Sequence, residues 1–329
     1  MAKVGFIHRD IKDKYDVPYR GEGRYISHIA QTLSEVAEVE FIPLFKNGYW
    51  DLLVFQSRAT LNITSADVEK WLPDVCRKTW FQGWTTTGFV YQFDRGILWN
   101  PVPLYRETCG IHGIGYKKWM LWYPPIESIS AGKKNKVIFN LNFPNQNNIQ
   151  LASLADELYY HFNLELIITR KDLAAIEYQE YLNSVKRPYV EHYFSKPYSE
   201  FQQMLAEAMI VIGLHRGPSM VPMESFVHGT PCLTYAHQEA YLEPDYGFNV
   251  HEWQSGDDKA GKILKNEVYS IIKRLVISLS DNVGKSSFYM PEDDIIQQHQ
   301  RTVQRMRELS NPERQKAKLI QAFEEDMND

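Results

Sequence analysis

The sequence predicts an α/β protein built from two Rossmann-like domains, and three observations predict it. Short apolar strands alternate with helical patterns over residues 3–93. A polar, charged stretch interrupts the chain at 126–136. A second alternating β/α series then starts at Val137. Strands that alternate with helices imply a parallel sheet covered on both faces. The length of 329 residues agrees with two domains, because single cores seldom grow beyond about 250–300 residues.

In the first series, residues 3–8 read as a strand. Residues 25–37 read as a helix, with Ile26, Ile29, Ala30, Leu33 and Val36 at i, i+3, i+4 spacing. Strands follow at 39–44 and 52–56, a helical stretch at 65–72, a strand at 78–82 and an aromatic run at 88–93. From 99 to 126 the pattern is irregular and rich in Pro, Gly and Trp, and 126–136 reads as a linker. The second series opens with a strand at 137–141. Its helix places Leu151, Leu154, Ala155, Leu158 and Phe162 on one face, and a strand at 164–169 follows. A helix at 199–208, a strand at 209–214, a helix near 221–228 and a short strand at 231–235 complete the series. The C-terminus is helical over 292–310 and 312–329, with Pro312 at a first-turn position. The expected divisions are 1–130, 131–290 and a helical tail, 291–329, that packs back on the first domain.

Composition narrows the function classes. With 44% hydrophobic and 23% charged residues, the chain is neither disordered nor a membrane protein. The apolar stretch at 208–214 is far short of the ~20 residues that span a bilayer. The N-terminus runs into a strand with no signal-peptide region, which predicts a cytoplasmic protein. Cys76, Cys109 and Cys232 are widely spaced, with no metal-ligand spacing, and are expected to be reduced thiols. The net charge of −5 and pI near 6.1 give no global attraction to nucleic acid. The 20 Tyr and 8 Trp suit sugar rings and bases as well as core packing.

The most informative segment runs from His215-Arg216-Gly217-Pro218-Ser219-Met220 through Glu224 to Gly229-Thr230-Pro231. It lies between two apolar strands. A Gly-Pro-Ser turn there exposes N–H groups at the start of the next helix, and these favour phosphate. Glu224, about one turn in, suits ribose hydroxyls. Ligands in open α/β sheets sit at such carboxyl ends of strands. With Pro218-Ser219, Glu224, Gly229 and Pro231, this segment resembles the donor-binding motif of GT-B glycosyltransferases, and 196–205 is similar to the short helix that precedes it in that family. The resemblance implies two Rossmann-like domains facing each other across a cleft, with the N-terminal one on the acceptor side. It also implies a nucleotide-sugar donor, a UDP-sugar foremost, with Glu224 on the nucleotide ribose. Arg216, Gly217, Ser219 and Met220 fall to the donor phosphates. Gly21 and Gly23, in Arg20-Gly21-Glu22-Gly23-Arg24, correspond to a glycine-rich loop that closes over them, or to a simple flexible turn.

Two departures from the family stand out. The first of its paired glutamates would fall at position 216, which is Arg216. An Arg and Lys after the first strand of the second domain are replaced by Asn140-Leu141-Asn142-Phe143-Pro144-Asn145. Arg216 and Arg170, or Lys171, are then expected to meet the diphosphate charge. No Asp-x-Asp sequence exists, which favours a metal-independent site with no required cofactor; Asp257-Asp258 and Asp293-Asp294 read as surface acids. For an inverting reaction the base candidates are Asp94, His8 and His112, with Asp10 and Glu22 beside His8. Asp94 reads equally as a structural partner of Arg95, and His215 as a strand cap.

The acceptor is expected to be a glycan or small hydroxylated molecule. DNA is the alternative, as in phage enzymes that glycosylate hydroxymethylated bases. The run Trp80-Phe81-Gln82-Gly83-Trp84 would stack on a flipped base, and Arg20, Arg24, Arg95, Arg106, Lys117 and Lys118 would meet phosphates. A non-catalytic nucleotide-binding protein on a degenerate transferase fold is a further alternative. A dinucleotide oxidoreductase ranks below these, because no Gly-x-Gly-x-x-Gly joins a strand to a helix.

Overall fold

A computed structural model of the chain describes residues 1–8, 21–56, 65–82, 91–98, 114–140, 148–170, 186–194, 197–213, 220–235, 247–250, 258–279 and 292–329. They form two compact units, Met1–Ile126 with Leu309–Asp329, and Glu127–Glu308. The first unit contains β1 (Lys3–Ile7), α1 (Gly21–Leu33), β2 (Glu38–Ile42), β3 (Trp50–Gln56), α2 (Ser65–Val75), β4 (Cys76–Gln82), β5 (Tyr91–Leu98) and β6 (Ile114–Leu121). The second contains β7 (Lys136–Asn140), α3 (Asn148–Phe162), β8 (Glu165–Arg170), β9 (Val190–Phe194), α4 (Tyr198–Glu207) and β10 (Ile210–Ile212). It continues with α5 (Val221–Val227), β11 (Cys232–Tyr235), β12 (Phe248–Val250), α6 (Asp258–Leu279) and α7 (Asp293–Leu309). Helix α8 (Pro312–Asn328) returns to the first unit.

Both sheets are wholly parallel, as the alternating pattern predicts. In the first unit the strand order is β2-β1-β3-β4-β5-β6. β3 reads Trp-Asp-Leu-Leu-Val-Phe-Gln and is buried along nearly its whole length, as a central parallel strand must be. One face packs Ile7, Leu53, Phe55, Phe81 and Phe93 against Val68, Leu72 and Val75 of α2. Fully burying each such side chain stabilises by about 1.5–3 kcal/mol.

The opposite face carries α8. Its N-cap Asn311 accepts a hydrogen bond from the Arg314 N–H at 2.9 Å, and Pro312 takes the first turn, where its missing N–H costs nothing. Trp80 Nε1 donates to Asp326 Oδ2 at 2.7 Å, and Trp122 Nε1 donates to the Gln315 carbonyl at 2.8 Å. Tyr25 of α1 meets Trp122 edge to face at 5.2 Å and donates its hydroxyl hydrogen bond to the Trp122 carbonyl.

In the second unit the order is β9-β8-β7-β10-β11-β12. Numbered within the unit, that is 3-2-1-4-5-6, the doubly wound dinucleotide-type order, with its switch point between β7 and β10. Asn163 (φ 54°) ends α3 in the left-handed region, and the bonds Asn163 N–H to Tyr159 O and Leu164 N–H to Leu158 O close the helix end.

Several expectations are corrected. Gly21 and Gly23 lie in the first turn of α1, not in a loop before it. Each glycine costs a helix roughly 1 kcal/mol against alanine, and the buried run Tyr25, Ile26, Ile29, Ala30 and Leu33 outweighs that. The irregular stretch 99–126 contains β6. Strands β9 and β12 and the 22-residue α6 also lie outside the elements that the pattern yields.

Candidate functional site

The second unit places residues 220–231, the described part of the segment that resembles a donor-binding motif, after the strand beside the switch point of its sheet. β10 ends at Ile212, next to β7, which ends at Asn140. Helix α5 follows, with all seven of its residues buried. Met220 caps it without a side-chain hydrogen bond, and Pro222 removes one of the first-turn amides. The helix start is therefore a poorer anion site than the Gly-Pro-Ser turn suggests.

The carboxylate is the stronger feature. Glu224 is 0% exposed, and the Tyr198 hydroxyl donates to its Oε1 at 2.9 Å. Tyr198 opens α4, the short helix preceding β10, so two helices of the motif meet at this carboxylate. A buried carboxylate persists only where hydrogen bonds compensate for lost water.

The far end of α5 is clamped. The Val227 carbonyl accepts from Ser128 Oγ at 3.0 Å and Arg307 Nε at 2.9 Å. His228 Nδ1 accepts from the Ile129 N–H at 3.1 Å, so its Nε2 carries the proton and donates to Gln202 Oε1 at 2.5 Å. Burial, then the charges of Lys133 and Arg307, push the His228 pKa down to about 4, which keeps the ring neutral. Gly229 turns the chain into β11 at φ +77°, where a side chain would be strained. At the carboxyl edge of β7 and β8, Asn140 Nδ2 donates to Thr169 Oγ1 at 2.7 Å, and Arg170 is the last residue of β8. Arg216, Gly217, Ser219 and His215 lie outside the described residues, as does the Arg170 side chain.

In the first unit the base candidates separate. His8 follows β1 at the carboxyl edge, and the order β2-β1-β3 makes the gap between β1 and β3 the switch point. Asp94 lies in the middle of β5, not at its end, beside Thr79. Its Oδ2 accepts from the Thr79 N–H at 2.8 Å and Thr79 Oγ1 at 3.0 Å, and its Oδ1 accepts from Lys117 Nζ at 2.8 Å. Arg95 is not its partner. Neighbours along a strand point to opposite faces, and Arg95 instead binds Asp326 through Nε and Nη2, both at 2.8 Å. His112 and Asp10 lie outside the described residues, as does the side chain of Glu22.

Among the described residues the features that suggested DNA are committed elsewhere; Arg20, Trp84 and Arg106 lie outside them. Trp80 and Phe81 are core residues at 0% exposure. Arg24 is buried, Arg95 pairs with Asp326, Lys117 with Asp94 and Lys118 with Asp329. Among the described residues no group of three or more His, Cys, Asp or Glu side chains could hold a metal ion, and no helix is long and apolar enough to cross a membrane.

No protein-family model matches the chain, and neither does any curated protein by sequence. Solved structures do match its fold. AviGT4, a glycosyltransferase involved in avilamycin A biosynthesis, has a TM-score of 0.56 at 13% identity over 100% of this chain and 97% of its own. The pneumococcal O-GlcNAc transferase GtfA, solved with UDP and GlcNAc, has 0.56 at 9% identity over 84% of this chain. S. aureus TarM, as a variant solved with fondaparinux, alpha-GlcNAc-glycerol and UDP, has 0.55 at 7% over the same share. The chain spans only 57% of GtfA and 55% of TarM. At these identities the likeness establishes the fold, which is that of GT-B glycosyltransferases.

Proposed function

We propose that the chain is a glycosyltransferase that moves a sugar from a nucleotide-sugar, a UDP-sugar, to a hydroxyl acceptor without a metal ion. The observation that carries this reading is Glu224, a fully buried carboxylate one turn into α5, beside the switch point of a 3-2-1-4-5-6 parallel sheet. Such a carboxylate accepts the ribose hydroxyls of a nucleotide. The UDP held by GtfA and by TarM supports the choice of nucleotide.

In the reaction the acceptor oxygen bonds to the anomeric carbon, the sugar–phosphate bond breaks, and the diphosphate leaves with the bonding electrons. Arg216 and Arg170 are the proposed cations for that leaving charge, with the backbone of Gly217 and Ser219 beside them, and one well-placed donor is worth roughly 2.7–4 kcal/mol in the transition state. The absence of an Asp-x-Asp sequence supports this division of labour. His8 is the proposed base for the acceptor proton, since Asp94 is bound to Thr79 and Lys117. The occupied basic residues of the first unit favour a glycan or small hydroxylated acceptor over DNA.

Binding tests the reading directly. UDP-, GDP-, ADP- and dTDP-sugars are compared by thermal shift on the wild type and on Glu224→Gln. The expected result is stabilisation by the UDP-sugars, by about 2.7 kcal/mol at one hundred times Kd, and its loss in the variant. No shift with any of the four would refute the reading.

A further inference from the structure

The carboxyl edge of the first sheet carries a row of polar groups that the donor motif does not use. Gln56 is the last residue of β3, Gln82 is the last of β4, and the two are partners in register. Register partners on neighbouring parallel strands point to one face, here the face of Trp80, two residues before Gln82. His8 follows Ile7, whose partner is Phe55, so it falls beside Gln56 in the same row. The row therefore crosses β1, β3 and β4 and includes the switch point between β1 and β3.

Both amides are buried, Gln56 at 0% and Gln82 at 1% exposure. Gln82 Oε1 is sealed from solvent and meets no hydrogen-bond donor among the described residues. Such groups are rare in folded proteins, because the amide gives up water and gains nothing in return. An apolar side chain of the same size would remove that cost. Gln82 is thus unexplained by stability, and its place at the carboxyl edge of a parallel sheet is where ligands of this fold class bind.

We infer that Gln82, with Gln56 and His8 beside it, forms the subsite for a neutral polyhydroxylated acceptor. A hydroxyl of a pyranose supplies the donor that Gln82 Oε1 lacks. The three side chains of the row are two amides and an imidazole, with no fixed charge among them, which suits a sugar ring. The word acceptor rests on the transferase reading; the sugar subsite does not.

The test uses the full chain and Gln82→Leu, with Gln82→Met as the second variant of similar volume. Binding of the methyl glycosides of glucose, galactose, mannose and N-acetylglucosamine is measured by saturation-transfer NMR, alongside Tm and UDP binding. The expected result is that the wild type binds at least one glycoside. Both variants then lose that affinity at least tenfold, melt no lower than the wild type and bind UDP as before. A lower Tm in both variants would mean that the amide is structurally paired, and would overturn the proposal. Unchanged glycoside affinity in the variants, or no glycoside bound by the wild type, would also overturn it. Glycoside binding without any UDP binding would keep the sugar subsite and remove the transferase reading.

Discussion

Removing the Asp326 carboxylate is expected to destabilise the first unit more than any other single truncation in α8. Arg95 and Asp326 are joined by two hydrogen bonds of 2.8 Å, with side chains only 6% and 3% exposed, and Trp80 donates a third bond at 2.7 Å. Burial alone would raise the Asp326 pKa. The bonds from Arg95 and Trp80, with the charges of Arg95 and Lys118, outweigh it and hold the carboxyl below its usual range. In Asp326→Ala the guanidinium stays buried with, among the described residues, only the half-exposed Glu325, 3.3 Å away, as an acidic partner. Breaking a buried pair in this way costs roughly 3–5 kcal/mol. In a domain of this size that corresponds to a Tm lower by about 10 °C or more. The double variant Arg95→Met, Asp326→Leu is expected to recover much of the loss, since apolar replacement of a whole buried pair is often neutral. Thermal unfolding of the full chain, read with hydrogen exchange of α8, measures both. A Tm within 2–3 °C of wild type for Asp326→Ala, about 1 kcal/mol, would refute the account of what fixes α8.

Two further outcomes follow from the same physics. His28, His228 and His299 are each held near a pKa of about 4, in every case first by burial. Their folded values lie below the unfolded value near 6.5, so the stability they contribute is present above about pH 6.5 and is lost as pH falls toward 4. The slope approaches 1.4 kcal/mol per pH unit for each histidine; denaturation at pH 7, 6 and 5 checks it, and a flat profile contradicts it. Separately, Tyr198→Phe is expected to weaken UDP binding about three- to tenfold while narrowing the preference for UDP over 2′-deoxy-UDP, because it frees the carboxylate proposed to select ribose. An equal loss for both nucleotides would mean that Tyr198 only packs.

The central strands are legible in the sequence because burial on both faces writes them as short apolar runs; β1, β3, β4, β7, β8 and β10 all read this way. The three strands that are not legible, β6, β9 and β12, lie at sheet edges. An edge strand is half solvated and carries charge to discourage pairing with other chains. β6, with Lys117, Lys118 and Trp119 exposed, has no clean alternation to read. Helix α6 had a readable signal in Val268, Ile272, Leu275 and Val276, all buried at helical spacing, after a first half diluted by lysines and Gly261. Sequence adjacency misleads for Asp94 and Arg95, whose partners come from Thr79, Lys117 and Asp326, residues no local pattern connects. In the candidate site, the sequence singles out Glu224 by its motif but not its bond from Tyr198, which arises only when α4 and α5 meet. Gln82 had a signal that could be noticed: a buried strand ending in Gln twice, in β3 and in β4.

The two sheets reach similar edges by different routes. One has the order 2-1-3-4-5-6 and the other 3-2-1-4-5-6, yet each sets polar side chains where its strand order reverses. What differs is their chemistry. The second unit offers a carboxylate, an acceptor strong enough to hold two ribose hydroxyls and repelled by phosphate. On the proposed function it orients a nucleotide by its sugar and leaves the diphosphate to cations and amides further along. The first unit offers amides, which both donate and accept, so they match the alternating hydroxyls of a sugar ring without selecting charge. If that division holds, Glu224→Gln removes nucleotide binding and spares glycosides, while Gln82→Leu does the reverse. A protein in which either variant abolished both activities without losing Tm would have one shared site, and the assignment of separate ligands to the two edges would fail.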